Sequence, residues 1–148
     1  MTTITEIQTT QVYQVFIKAS PEAIWEAITK PEFTEKYFHG ARHNITPERY
    51  LSYGPNDEVW GDAQVFEFEP PRRLVHGWRS LYNPELATED ESRVTWEIEQ
   101  QEGGVSLLTV VHDQLEGAPK TAAGVSGVGW MSVLSGLKTL LETGEPLN

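Results

Sequence analysis

Only one stretch of this chain carries a sustained helical stripe, and it lies near the end of the sequence. Projected at about 100° per residue, Trp130, Val133, Leu134, Leu137, Leu140 and Leu141 fall within a sector of roughly 120°. Ser132, Ser135, Thr139 and Glu142 occupy the opposite side, and Gly144 and Pro146 stop the helix. A lone amphipathic helix has one apolar face to cover, so the rest of the chain must offer one surface to receive it. The front of the segment, Gly124-Val125-Ser126-Gly127-Val128-Gly129, holds three glycines, each costing roughly 0.8–1 kcal/mol against alanine inside a helix. Its first turn is therefore expected to be loose, or to sit where another backbone or a ligand comes close.

The receiving surface reads as a sheet. Gln11–Lys18 places Tyr13, Val15 and Ile17 on one face and Val12 and Phe16 on the other, which predicts a strand covered at least partly on both sides. Ser20 followed by Pro21-Glu22 is a helix start: the serine caps free N–H groups, proline loses nothing at the first position, and the glutamate suits the positive end of the dipole. Ile24, Trp25 and Ile28 give that helix a short stripe, and Lys30-Pro31 interrupts it. Pro31-Glu32 opens a second short helix with Phe33, Tyr37 and Phe38 as its apolar side, closed by Gly40. Weak strands are expected near Ala41–Pro47 and Glu58–Trp60, and stronger ones at Ala63–Glu69, Leu74–Ser80, Arg93–Gln101 and Val105–Gln114. Glu69-Pro70-Pro71-Arg72 and Glu102-Gly103-Gly104 are turns, and the acidic stretch Asn83–Ser92 is expected to be a mobile surface loop. Strand, two short helices, a run of antiparallel strands and one long helix make an α+β chain. A curved sheet of about six strands wrapped round that last helix leaves a gap beside it, and aromatic side chains there suit an apolar ligand.

At 148 residues, one domain spanning 1–148 is expected, with a short disordered start over about 1–10. Cysteine is absent, which removes disulfides, thiolate metal sites and cysteine nucleophiles together. Twenty-two acidic against eleven basic residues give a net charge of −11, so a general nucleic-acid partner and an anionic membrane surface are both excluded. Net charge speaks to long-range steering, however, and leaves a local basic patch open. Met1–Thr10 lacks the charged end and apolar run of a secretion signal, and no stretch approaches the roughly 18 apolar residues of a membrane span, so a cytoplasmic protein is expected.

The chain resembles the START-related, birch-pollen-allergen-like superfamily called SRPBCC. Within it, the chain is similar to the branch named after the C-terminal domain of the heat-shock protein 90 ATPase activator. Four features carry the resemblance: the run Ile17–Thr29; the turn Glu69–Leu74 with Trp78 after it; Leu108–His112; and the ending Gly129-Trp130 with Leu134, Leu137-Lys138 and Leu141-Glu142. It spans about Val12 to Leu147. The resemblance implies a helix-grip fold, with a curved antiparallel sheet gripping the C-terminal helix and a cavity between them, and it brings a stress-response setting with it. It does not fix an activity, because the superfamily holds lipid carriers, cyclases, hydrolases and co-chaperones. The activator's client-kinase-binding region has no counterpart in these 148 residues, which weighs against chaperone activation and leaves it an alternative.

Among candidate chemistry, His39, His43, His76 and His112 are scattered, with Gly40 between the first two and no HExxH pattern, so neither a metal nor a cofactor is expected. His112 shares a face with Leu108 and Val110, and His76 with Leu74 and Trp78, which points both inward. Either they are hydrogen-bonded polar spots in an apolar wall, or one donates to a ligand carbonyl or works as a general acid or base. Phe38 is expected near the mouth, and Phe66, Phe68, Trp78 and Trp96 on the sheet wall, taking the aromatic side of Phe66-Glu67-Phe68-Glu69 as the inner one. Trp130, Leu134 and Leu137 are expected on the helix wall. Glu97 and Glu99 lie opposite Trp96 and Ile98 and mark a solvated face. No phosphate loop, nucleophile elbow or dinucleotide fingerprint is present. The expected function is noncovalent binding of a small hydrophobic or aromatic ligand by a carrier, sensor or sequestering protein, as a monomer or weak homodimer. The alternatives are a polyketide cyclase or dehydratase, for which histidine, Tyr37 and Glu67 are the available acid–base groups, and a chaperone-activator-like interaction protein with a protein partner.

Overall fold

The computed structural model describes residues 9–148; most of the start expected to be disordered, residues 1–8, lies outside the described residues. Seven strands make one antiparallel, curved sheet in the order β1-β7-β6-β5-β4-β3-β2. They are β1 (Gln11–Ile17), β2 (Arg42–Ile45), β3 (Arg49–Tyr53), β4 (Val59–Glu69), β5 (Arg73–Trp78), β6 (Ser92–Gln100) and β7 (Ser106–Asp113). The helices are α1 (Pro21–Thr29), α2 (Pro31–Thr34), α3 (Pro84–Ala87), α4 (Pro119–Val125) and α5 (Val128–Thr143). The sheet grips α5, as the helix-grip expectation required.

The helix starts obey their local chemistry. Ser20 Oγ accepts the Ala23 N–H at 3.2 Å, and Lys30 adopts extended geometry ahead of Pro31, which separates α1 from α2. The second helix is shorter than expected: it ends at Thr34, and Tyr37 and Phe38 lie buried in the turns beyond it. The expected mobile loop at 83–92 instead contains α3, capped by Asn83 Oδ1 on the N–H groups of Glu85 and Leu86. Ala118 offers α4 no side-chain cap. The carboxylate of Glu89 supplies one from across the chain, accepting from Lys120 N, Thr121 N and Thr121 Oγ1 at 2.7–2.9 Å. Desolvation pushes that carboxyl up, but the bonds from Thr121 and Lys120 outweigh it and hold the group below the usual carboxylate range.

Three strand expectations are corrected. The segments read at Glu58–Trp60 and Ala63–Glu69 are one continuous strand, β4, and β3 was not expected at all, which takes the sheet from about six strands to seven. Val12 and Phe16 are each 58% exposed, so the outer face of β1 is open; β1 is an edge strand, and only its Tyr13–Val15–Ile17 side is covered. In β4 the register slips between Val65 and Glu67 against β5. Gly61 and Ala63 point inward before this bulge and Phe68 after it, so inward parity changes and Phe66 is left 54% exposed. Phe68 packs its edge on Trp25 of α1, with ring centroids 5.1 Å apart.

The C-terminal half of α5 lies flush on the sheet: Leu134, Leu137 and Leu140 join Ile17, Ile24, Ile98 and Leu108 in one core. Leu137→Ala should therefore cost about 2–5 kcal/mol in urea unfolding, while Phe66→Thr should stay within about 0.5 kcal/mol. A large loss at Phe66 would put that ring back inside.

Candidate functional site

The middle of the sheet presents histidines to α5, and indoles bind them. His112 Nδ1, on β7, accepts from Trp130 Nε1–H at 3.1 Å, and its Nε2 lies 2.8 Å from Ser92 Oγ. The Trp130 donor fixes the proton of His112 on Nε2, which donates to the serine. His76 Nε2, on β5, accepts from Trp96 Nε1–H at 3.0 Å, which places its proton on Nδ1, donating to the Gly77 carbonyl at 2.7 Å. Both imidazoles are thus neutral with both nitrogens engaged. Burial lowers His112 to about 3, with His76 nearby adding to the effect, and lowers His76 to about 4.

Above Trp130 the helix leaves the sheet. Gly127, at φ +57°, separates α5 from α4, and a Cβ on Gly129 would stand 2.7 Å from the carbonyl oxygen of Gly124. The glycines permit this close turn, as one of the two sequence expectations for them had it. The space beneath is a cavity of about 320 Å³ between the α4–α5 corner, β2 to β5 and the turn after α2. Phe38, Trp78 and Trp130 form an aromatic corner, with Phe38 5.9 Å from Trp78 and 6.1 Å from Trp130 by ring centroids. His43 and Tyr50 bring polarity to the wall, their Nε2 and Oη 3.5 Å apart. Burial lowers His43 to about 3, with His76 adding to it, and raises the Tyr50 hydroxyl above its ordinary value. Tyr50 also stacks flat on His76 at 4.5 Å. Residues 79–82 continue beside β4 through the Gly61–Ser80 bridge and the Leu81 N–H to Trp60 O bond, bringing Arg79, Ser80 and Tyr82 to the rim. Trp78 Nε1 is buried in the wall with no hydrogen-bond partner among the described residues.

Of the residues expected to bind a ligand, Phe38, Trp78 and Trp130 line this cavity. His76, Trp96 and His112 sit one layer behind, locked to one another and to the wall. Leu134 and Leu137 belong to the flush half of α5, Phe68 lies under α1, and Phe66 faces outward. Sequence reading missed His43, Tyr50, Ser52, Trp60 and Tyr82. Alternation of buried His43 with Ile45, and of Tyr50 with Ser52, carried the signal, but two short strands with polar inner residues hid it. No group of three or more metal-ligating side chains occurs among the described residues, and none of their helices is long and apolar enough to cross a membrane.

Residues 18–142 match the family described as Activator of Hsp90 ATPase homolog 1-like protein. No curated protein matches significantly. Solved structures with the same fold include protein MLL2253 from Mesorhizobium loti, 23% identical over 90% of this chain and 96% of its own, with a TM-score of 0.71. CalU16 from Micromonospora echinospora is 21% identical over 91% and 77%, with a TM-score of 0.66. A protein described as the Aha1 dimer from Colwellia psychrerythraea is 20% identical over 93% and 98%, with a TM-score of 0.65.

His43, His76 and His112 must stay neutral for the fold to stand. Their folded values of about 3, 4 and 3 lie below the ordinary 6.5, so the unfolded chain binds more protons between these limits. Their contribution is complete above about pH 6.5 and is lost as pH falls towards 4 and then 3, at about 1.4 kcal/mol per pH unit for each ring. Against a total stability of about 5–15 kcal/mol, the chain should unfold near pH 4–5. In urea titrations, His76→Gln, which keeps an acceptor for Trp96, should remove about a third of the slope between pH 6.5 and 5. A flat profile above pH 5 would show that the rings titrate normally.

Proposed function

From the premise that this chain belongs to the Activator of Hsp90 ATPase homolog 1-like family, within the SRPBCC superfamily, we propose that it binds a small apolar or aromatic molecule without covalent chemistry. The void of about 320 Å³ at the front of α5 carries this reading. Its volume falls at the lower end of the roughly 300–1,000 Å³ of ligand pockets, which suits one or two fused rings rather than a long acyl chain. Affinity would come from burying those rings against Phe38, Trp78 and Trp130, at about 25 cal/mol per Å² before the costs of association. The unmet Trp78 donor supports the reading, since a buried N–H without an acceptor is costly and invites one. His76, Trp96, His112, Leu134 and Leu137 act as the frame that holds the wall.

Acid–base catalysis has little to draw on. Two histidines line the cavity: His39 is exposed, and burial holds His43 near 3, which makes it a weak base at neutral pH. His112, the base a cyclase reading would use, has both nitrogens committed. Action as a single cytoplasmic domain, monomeric or weakly dimeric, completes the proposal; the Colwellia relative described as a dimer supports the second state.

A panel of one- and two-ring aromatics, followed by the indole N–H resonances of Trp78 and Trp130, tests it. Micromolar to millimolar saturable shifts are expected. Gly124 lines the cavity and a Cβ there meets nothing within 4 Å, so Gly124→Leu should fill the space and abolish the shifts at unchanged or higher stability. Binding that persists in Gly124→Leu and in Val133→Phe would place the ligand elsewhere.

A further inference from the structure

The charge of the cavity rim runs against the charge of the protein. The chain holds 22 acidic residues against 11 basic, yet no aspartate or glutamate is among the described residues lining the cavity. The permanently charged side chains that do line it are Arg79 and Lys120. Arg42, Arg49, Arg72, Arg73 and Arg93 each have a carboxylate within 4 Å. Arg79 has none among the described residues, and its guanidinium spends one donor, Nη2, on the carbonyl of Ala87 at 3.2 Å. A guanidinium carries five N–H donors in a plane that matches a carboxylate, so an exposed and unpaired Arg79 leaves most of that fork free.

Two acids of the α3 region contact Lys120, which lines the rim, and both are committed. Glu89 caps α4, and Glu85 pairs with Lys120 at 3.0 Å, an exposed contact that contributes little and is easily exchanged. Deeper in, the polar groups are the neutral His43, Tyr50, Ser52 and Ser80. A charge is therefore accommodated at the rim and disfavoured inside. Building on the cavity reading above, we propose that the molecule taken up is a small aromatic acid, its ring between Phe38, Trp78 and Trp130 and its carboxylate on Arg79, with Lys120 beside it. The rim then selects among ligands of equal apolar surface by charge, which the aromatic wall cannot do.

The experiment compares 2-naphthoate with its neutral isostere 2-naphthamide by calorimetry and indole N–H shifts, on the full chain. Naphthoate should bind at least tenfold more tightly. Arg79→Gln should remove that preference while leaving the amide's affinity in place, and raising salt to 0.5 M should narrow the preference in the wild type. Arg72→Gln, on the distant β4–β5 turn, should change nothing. Lys120→Gln should reduce the preference by less than Arg79→Gln. Equal affinity for the two compounds, or a preference unaltered by Arg79→Gln, would overturn the acid-binding inference and leave the cavity reading standing. Saturable binding of neither compound would overturn both.

Discussion

The hydrogen bond from Trp130 Nε1–H to His112 Nδ1 ties the first turn of α5 to the C-terminal end of β7, and the cavity depends on where that tie falls. It requires a neutral imidazole with a bare Nδ1, and the Ser92 hydroxyl facing Nε2 fits that tautomer. The same arrangement recurs between Trp96 and His76. An indole can only donate, so each buried tryptophan needs an acceptor, and a neutral histidine provides one without importing a charge into the core. Buried histidines here are therefore acceptors that let large aromatic side chains be enclosed. Their lowered titration follows from that enclosure, to which the proximity of His76 adds at His112.

Below this tie the helix and sheet meet as plain hydrocarbon, and above it they part. Leu134, Leu137 and Leu140 can settle flush because branched aliphatic side chains interdigitate. The rings of Phe38, Trp78 and Trp130, tilted or edge-on to one another at about 6 Å, tile a wall but do not fill the corner behind it. The break at Gly127 then turns the chain back, so that α4 roofs the space instead of extending α5 over the sheet. That roof has no cap of its own and takes one from Glu89, so the acidic segment after α3 is a structural part of the cavity's closure.

Much of this architecture was legible in the sequence. The stripe on α5, the Ser20-Pro21 start of α1 and the inward parity of β5, β6 and β7 were all local patterns, and local patterns survive folding when one face is buried. The failures were of two physical kinds. At Phe66 a bulge reset the parity, and no residue in Val65–Phe68 announces it, because bulges answer to the pairing partner as well as to the strand itself. At β2 and β3 the inward residues His43, Tyr50 and Ser52 are polar or amphipathic, so a strand lining a cavity looks like a loop. The part of the sheet hardest to read from hydrophobicity was thus the part that makes the site, as expected where a wall must face a ligand rather than a core.

Net charge was a similarly blunt guide. A value of −11 describes what a distant molecule feels, and at physiological salt that field fades within about 8 Å of the surface. Inside that distance the pairing of individual groups decides. Five of the six arginines are neutralised by nearby carboxylates, several in tight pairs such as Arg93 with Asp113 and Arg73 with Glu97. The acidic excess is therefore partly consumed in holding strands together, and its remainder is spread over exposed positions, among them Glu22, Glu32, Glu35 and Glu48 as well as Glu99 on β6 and Glu91 after α3. The same accounting leaves the rim of the cavity with cations and without carboxylates. An acidic protein can hold a locally cationic mouth at little cost: Glu89 is spent on capping α4, and Glu85 meets Lys120 in an exposed pair, which leaves Arg79 as the rim cation without a carboxylate among the described residues.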